Sequence, residues 1–267
     1  MTTLTITLLI LACAGYATAG LLCWRHLRGA PVWPVHAATG IAVAAHLAVL
    51  VLTMLEVRSV VIGVGGALSL FAWQAALLLF LAAWRQPVAS LGLVVYPVAL
   101  LCALAMPLLP GGAEAPTPLD WSLQLHVLLS LLAYGFLTLA AVQAALLSFQ
   151  DHRLHNHRTA GLNTGLPPLQ TMERLMFRLI GIGFALLSLA IVTGAVFLDN
   201  PLAQHLAHKT VLSVIAWAFF GILLWGHWRQ GWRGRTAIRW TAGGYALLIA
   251  AYFGSKMVLE LLLGRHW

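Results

Sequence analysis

Charge is what this sequence has least of. Only 8% of its 267 residues are Asp, Glu, Lys or Arg, and only seven of those are acidic. A soluble domain carries about 25% charged and about 45–50% apolar residues. Here the apolar share is 61% and the mean hydropathy is +0.90. A water-soluble fold is thereby excluded. Disorder is excluded too, because it requires a chain poor in apolar residues. Cysteine is equally scarce: Cys13, Cys23 and Cys102 all lie in apolar stretches, and no CxxC is present. That leaves no basis for a thiol–disulfide relay or a structural zinc site. The few acids are dispersed, with Asp120, Asp151 and Asp199 in polar linkers. Paired carboxylates, HExxH and a nucleophile elbow are all missing, so no catalytic residue is assigned and enzymatic activity is not expected.

What is present is apolar chain in helix-length pieces. Eight stretches can be drawn, at 3–23, 33–54, 62–83, 88–106, 122–148, 178–198, 209–228 and 240–262. Each exceeds the ~17 residues a helix needs to cross a bilayer. Strands are disfavoured by these lengths and by the lack of ten-residue alternation. The expected fold is therefore all-α: a polytopic membrane helix bundle of eight transmembrane helices forming a single integral membrane domain over 1–267. The opening MTTLTIT lacks the charged start of a signal peptide, so 3–23 reads as a retained first helix.

The net charge of +8 fits this picture without nucleic acid. Eleven of the fifteen Lys and Arg fall in the segments around 24–28, 84–86, 150–178 and 229–239, and four (Arg58, Lys209, Lys256 and Arg265) fall on the other side. The positive-inside rule places the first group in the cytoplasm and both termini outside. Within the inner segment 150–177, Pro167-Pro168 stops any helix continuing from span five. Residues 171–178 are expected to lie in the membrane interface, capped by Thr171, before span six begins. Trp33, Trp84, Trp121, Trp228, Trp232 and Trp240 sit near span ends, as an aromatic belt would. The Arg-rich GWRGR (231–235) suits anionic lipid headgroups.

Eleven histidines stand against seven acids. His26, His152, His155 and His157 read as solvated residues of inner loops, and Asp151 with its neighbouring histidines matches no zinc spacing. His46 is different, because it lies deep in span two. His126 opens span five, and His227 ends span seven. An ionisable residue within a span is a functional candidate, imidazole is an axial ligand of haem iron, and a neutral histidine bonded to a neighbouring helix is the plainer alternative. At 1.5 Å per residue, His46 lies about 12 Å below its outer helix end and His126 about 6 Å below its own. Depth therefore groups these two and leaves His227 near the inner face with His36. Lys256 and Glu260 share one face of span eight. They either neutralise each other, or Lys256 turns inward to hold an anion such as a haem propionate.

The segments LHVLLSLLAYGFLTLAAVQA (125–144), PPLQTMERLMF (167–177), VLSVIAW (211–217), LLWGHWRQGWRGR (223–235) and AYFGSKMVLE (251–260), together with eight spans, resemble the HemX-like, YpjD-type inner-membrane branch of the cytochrome c assembly (CcsA/CcmC-type) proteins. The resemblance implies a multi-pass protein of the bacterial cytoplasmic (inner) membrane that handles haem. It matches His126 to the family's first external haem histidine, His227 to its second intramembrane histidine and His46 to its first, so that His46 pairs with His227 rather than with His126. It departs in two places. The loop 199–209 has no Trp where the tryptophan-rich segment belongs, and GSKMVLE stands where a second external histidine is expected.

The function expected is therefore an accessory role in cytochrome c assembly or haem handling. Non-covalent haem b would be held by His46, His126 or His227 as iron ligands, with Lys256 on a propionate, and no CxxCH is present for covalent attachment. The expected partners are the lipid bilayer, haem and other cytochrome c assembly or haem-biosynthesis proteins, with no nucleic acid. The alternative is a small-solute transporter relaying protons through intramembrane His and Lys.

Overall fold

The computed structural model describes residues 2–57, 64–86, 88–109, 121–155, 167–197 and 207–251. They form helices α1 (Thr3–His26), α2 (Trp33–Val57), α3 (Val64–Ala83), α4 (Gly92–Leu108), α5 (Trp121–His155), α6 (Leu169–Phe197), α7 (Ala207–Gln230) and α8 (Gly234–Ile249), with a 3-10 turn at Ala89–Leu91 leading into α4. Among the described residues, seven helices are long and apolar enough to cross a membrane. The eighth expected span, 240–262, has its second half outside the described residues.

Three boundaries differ from the sequence reading, each for a local reason. Helix α5 runs on through His155, so residues 150–155 are helix rather than loop. No glycine or proline interrupts them, and the Asp151 carboxylate is held by Arg235 of α8 at 3.3 Å. Helix α6 is continuous from Leu169, so 171–178 is not a separate interfacial segment. The Pro168 carbonyl accepts the Thr171 and Met172 amides, which makes Pro168 the start of the helix and Thr171 part of its first turn. Met172, Met176 and Leu179 are buried, and the Gln143 side-chain amide of α5 donates to the Met172 carbonyl at 3.1 Å. The apolar face therefore packs on protein. Helix α8 starts at Gly234 rather than at 240.

The described helices cluster into two compact units, one holding α1–α4 and the other α5–α8. Within the first, α1 packs on α2 and α4, and α3 packs on α2 and α4. The α1–α2 contact is close because small residues meet. A Cβ placed on Gly15 would come within 2.8 Å of the Ala42 Cβ, and Ala12 and Ala19 flank it, fully buried. Small residues are how membrane helices approach without a hydrophobic drive to bring them together. Leu9, Val49 and Ala103 complete a core drawn from three helices. Within the second unit, α5 packs on α6 and α8, and α7 packs on α6 and α8. The Thr138 and Tyr245 hydroxyls meet at 2.9 Å across α5 and α8, and Trp217 donates to Ser188 at 2.8 Å across α7 and α6. In both units each helix runs antiparallel to its neighbours. The outward faces are apolar: Ile10, Leu101 and Val192 are each more than half exposed, as surfaces against lipid tails are.

Candidate functional site

In the first unit His46 is fully buried. Its Nδ1 lies 3.1 Å from the Tyr16 hydroxyl on α1, and its Nε2 lies 2.7 Å from Ser69 Oγ on α3. The Tyr16 ring meets the imidazole edge-on at 5.7 Å and stacks at 6.4 Å on Tyr96 of α4. A neutral imidazole has one donor and one acceptor nitrogen, and a hydroxyl serves as either. The bridge is therefore satisfied in both tautomers and ties three helices through one side chain. Iron at either nitrogen would have to displace a hydroxyl. His36, nearer the start of α2, is stacked on Trp84 at 4.9 Å.

In the second unit, His126 and His227 are held differently. His126 Nδ1 is 2.9 Å from the Ala190 carbonyl of α6. A carbonyl only accepts, so Nδ1 carries the proton and Nε2 is left with the lone pair. The ring fits because residue 194 is glycine: a Cβ there would sit 2.9 Å from His126 Cε1. Thr193 Oγ1 lies 3.2 Å from the same Nδ1. His227 repeats the arrangement at the other end of the unit. Its Nδ1 is 2.9 Å from the Trp232 carbonyl, and its ring lies flat on Phe177 with centroids 3.5 Å apart.

The Trp232 carbonyl is in place because the chain folds back after α7. Gly231 (φ 68°) and Gly234 (φ 54°) adopt left-handed conformations that side chains resist. Between them the Trp232 amide donates to the Gly226 carbonyl at 3.2 Å. Glu173 of α6 then accepts the Gly234 amide at 3.0 Å. This turn closes one side of a cleft of about 320 Å³ lined by Gln170, Glu173, Arg174, Phe177, His227 and Arg233.

Carbonyl-pinned imidazoles are suited to metals, since the pinned nitrogen fixes the tautomer and aims the other. His126 and His227 have that form and fit haem iron. They cannot share one iron: their contacts on α6, Ala190 and Phe177, are thirteen residues apart, or about 20 Å along the helix. His46 lies in the other unit, and Lys256 lies outside the described residues. No group of three or more His, Cys, Asp or Glu is placed to hold a bare metal ion among the described residues. Sequence reasoning missed Tyr16, Ser69, Gly194, Phe177 and the Trp232 carbonyl. Only the Gly-Trp-Arg-Gly run at 231–234 carried a visible signal, because two glycines three residues apart mark a turn.

The chain is similar to known membrane proteins over most of its length. The family model for cytochrome c assembly protein matches residues 35–263. The inner membrane protein YpjD of Escherichia coli (strain K12) is 36% identical over 169 residues, covering 63% of this chain and 64% of that protein's length. The cytochrome c biogenesis protein CcsA of Gloeothece citriformis (strain PCC 7424) is 24% identical over 229 residues, covering 66% of this chain and 70% of its own. No solved structure matches the chain. A multi-pass protein of the bacterial inner membrane, it belongs to the cytochrome c assembly protein family.

Proposed function

We propose that the protein binds haem b non-covalently and acts as an accessory factor in cytochrome c assembly or haem handling, beside other proteins of that process. The observation that carries this reading is the matched pair of carbonyl-pinned imidazoles, His126 on Ala190 and His227 on Trp232, in a chain of this family. His126 and His227 would hold the haem, which would supply an iron able to take a nitrogen ligand. The chain's own residues supply the rest. The two carbonyls hold each imidazole as the Nδ1–H tautomer, Gly194 makes room for one ring, and Phe177 braces the other. Beyond coordination at an imidazole nitrogen no bond to the protein is made or broken, so the proposed role is binding and positioning rather than catalysis. The Lys and Arg distribution supports an orientation with both chain termini outside the cytoplasm and the Arg-rich end of the second unit inside.

Protein purified in mild detergent from haem-replete cells should show a Soret band of b type. His126→Ala and His227→Ala should each remove about half of the bound haem, because one iron cannot bridge 20 Å, and the double variant should be colourless. A parent preparation that is colourless and also fails to take up added hemin overturns the reading. Reporter fusions after Arg158 and Gly234 should register as cytoplasmic; an external signal from either reverses the orientation.

A further inference from the structure

The cleft beside His227 carries more chemistry than one imidazole explains. Arg174 and Arg233 line it, both exposed, together with Glu173 and Gln170. Neither arginine has a carboxylate partner within 4 Å among the described residues: the ion pair at this end joins Arg235 to Asp151. Arg174 makes only a long 3.4 Å contact from Nε to the Gln170 carbonyl of its own helix turn. One Glu173 oxygen is spent on the Gly234 amide, which leaves the other as an acceptor. The cleft thus offers two guanidinium forks and one carboxylate oxygen, a pattern that suits an oxyanion carrying its own hydrogen-bond donor.

The level of the cleft in the membrane narrows the source. On the last turn of α7, Trp225 and Trp228 are 57% and 76% exposed, and Arg229 lies over both rings at 5.4 and 5.5 Å. Exposed tryptophans with arginine at a span end mark the headgroup layer. Phosphodiesters are the abundant oxyanions there, and basic pockets between spans at this level take lipid headgroups. The volume, roughly ten waters' worth at about 30 Å³ each, admits a headgroup and leaves the acyl chains on the apolar helix faces outside.

We propose that this cleft is a binding site for the headgroup of a membrane glycerophospholipid, with the phosphate between Arg174 and Arg233 and an ammonium or hydroxyl donor of the headgroup on Glu173. The turn built by Gly231 and Gly234 carries Arg233 to the cleft that Arg174 also lines, so the site is formed by the start of α6, the end of α7 and the turn into α8. The inference does not rest on haem binding, and a haem-free preparation tests it equally.

The test is native mass spectrometry of the full chain in mild detergent with added phosphatidylethanolamine, phosphatidylglycerol or phosphatidylcholine. Phosphatidylcholine has the phosphate but no N–H or O–H donor. The parent should retain one phosphatidylethanolamine or phosphatidylglycerol in preference to phosphatidylcholine. R174Q/R233Q should lower that retention about tenfold, and R174K/R233K should restore part of it. E173Q keeps an oxygen for the Gly234 amide and should bring the three lipids closer together. R178Q, on an exposed arginine of α6 outside the cleft, should change nothing. Equal retention by the parent and R174Q/R233Q overturns the proposal, as does an equal loss in R178Q. So does loss of hemin uptake rather than lipid in R174Q/R233Q, which would make the cleft a carboxylate site.

Discussion

The two four-helix units use histidine in opposite ways. In α1–α4, His46 is fully enclosed, and both ring nitrogens are spent on hydroxyls from two other helices. In α5–α8, His126 and His227 are partly exposed near helix ends, and each spends one nitrogen on a backbone carbonyl. A hydroxyl partner leaves the tautomer open and consumes the ring's capacity for bonding; a carbonyl partner fixes the tautomer and spares a lone pair. Residue type and depth in the membrane do not separate these cases, because the partner atoms decide. On this contrast we propose His46 as a joint between helices, and the other two as the nitrogens offered to a ligand.

The contrast breaks most visibly at His46. His46→Ala removes two interhelical hydrogen bonds and leaves a cavity where α1, α2 and α3 meet. We expect a loss of about 2–4 kcal/mol, from the cavity and the orphaned Tyr16 and Ser69 hydroxyls. The loss should appear as a clear drop in Tm of the detergent-solubilised protein. The haem content of the molecules that remain folded should be unchanged. An unchanged Tm with a bleached Soret band would reverse the assignment and favour pairing of His46 with His227, as the family resemblance implies.

Next in size is Gly194→Ala. The new methyl would stand 2.9 Å from His126 Cε1, so the ring must move off the Ala190 carbonyl. Overpacking of this kind costs about 1–3 kcal/mol. We expect a modest fall in Tm and a loss of the His126 share of haem, with the His227 share intact. Gly226→Ala is the matched experiment at the other end. There the methyl would meet the Trp232 ring at 2.5 Å, and the His227 share should fall instead. If both variants lower both shares equally, the two sites are not independent.

Much of the fold was legible because lipid imposes simple rules. Seven of the eight expected spans coincide with long helices, since apolar runs of that length have no other way to satisfy their backbone. The boundaries that failed are the polar ones. Gln150–His155 reads as a loop by charge, yet remains helix because no glycine or proline interrupts it, with Arg235 from α8 reaching Asp151 as a minor support. Met172 and Met176 read as an interfacial face, yet are buried, with the Met172 carbonyl bonded to Gln143 of α5 and the Met176 sulfur to Thr241 of α8. The histidines were legible as candidates, but their partners were not. The sequence separation from His126 to Ala190 or from His46 to Tyr16 becomes a contact only once helices are paired, and nothing in one sequence pairs them. Lys256, a candidate on charge alone, lies outside the described residues.

The smallest expected effect is also the sharpest probe of the first unit. Tyr16→Phe removes one oxygen and keeps the ring that stacks on Tyr96 and meets His46 edge-on. Buried hydrogen bonds between membrane helices are worth about 0.6 kcal/mol on average and up to about 1.7. A loss in that range is expected. A double-mutant cycle with His46→Ala should return a coupling of the same size, because the hydroxyl makes no other hydrogen bond among the described residues. The variant also liberates Nδ1 of His46. If His46 is only a joint, haem content stays at the parent level. A rise in bound haem in Tyr16→Phe, abolished again by His46→Ala, would mean that the phenol masks a ligand, and the two units would then differ in how they guard a histidine rather than in what it is for.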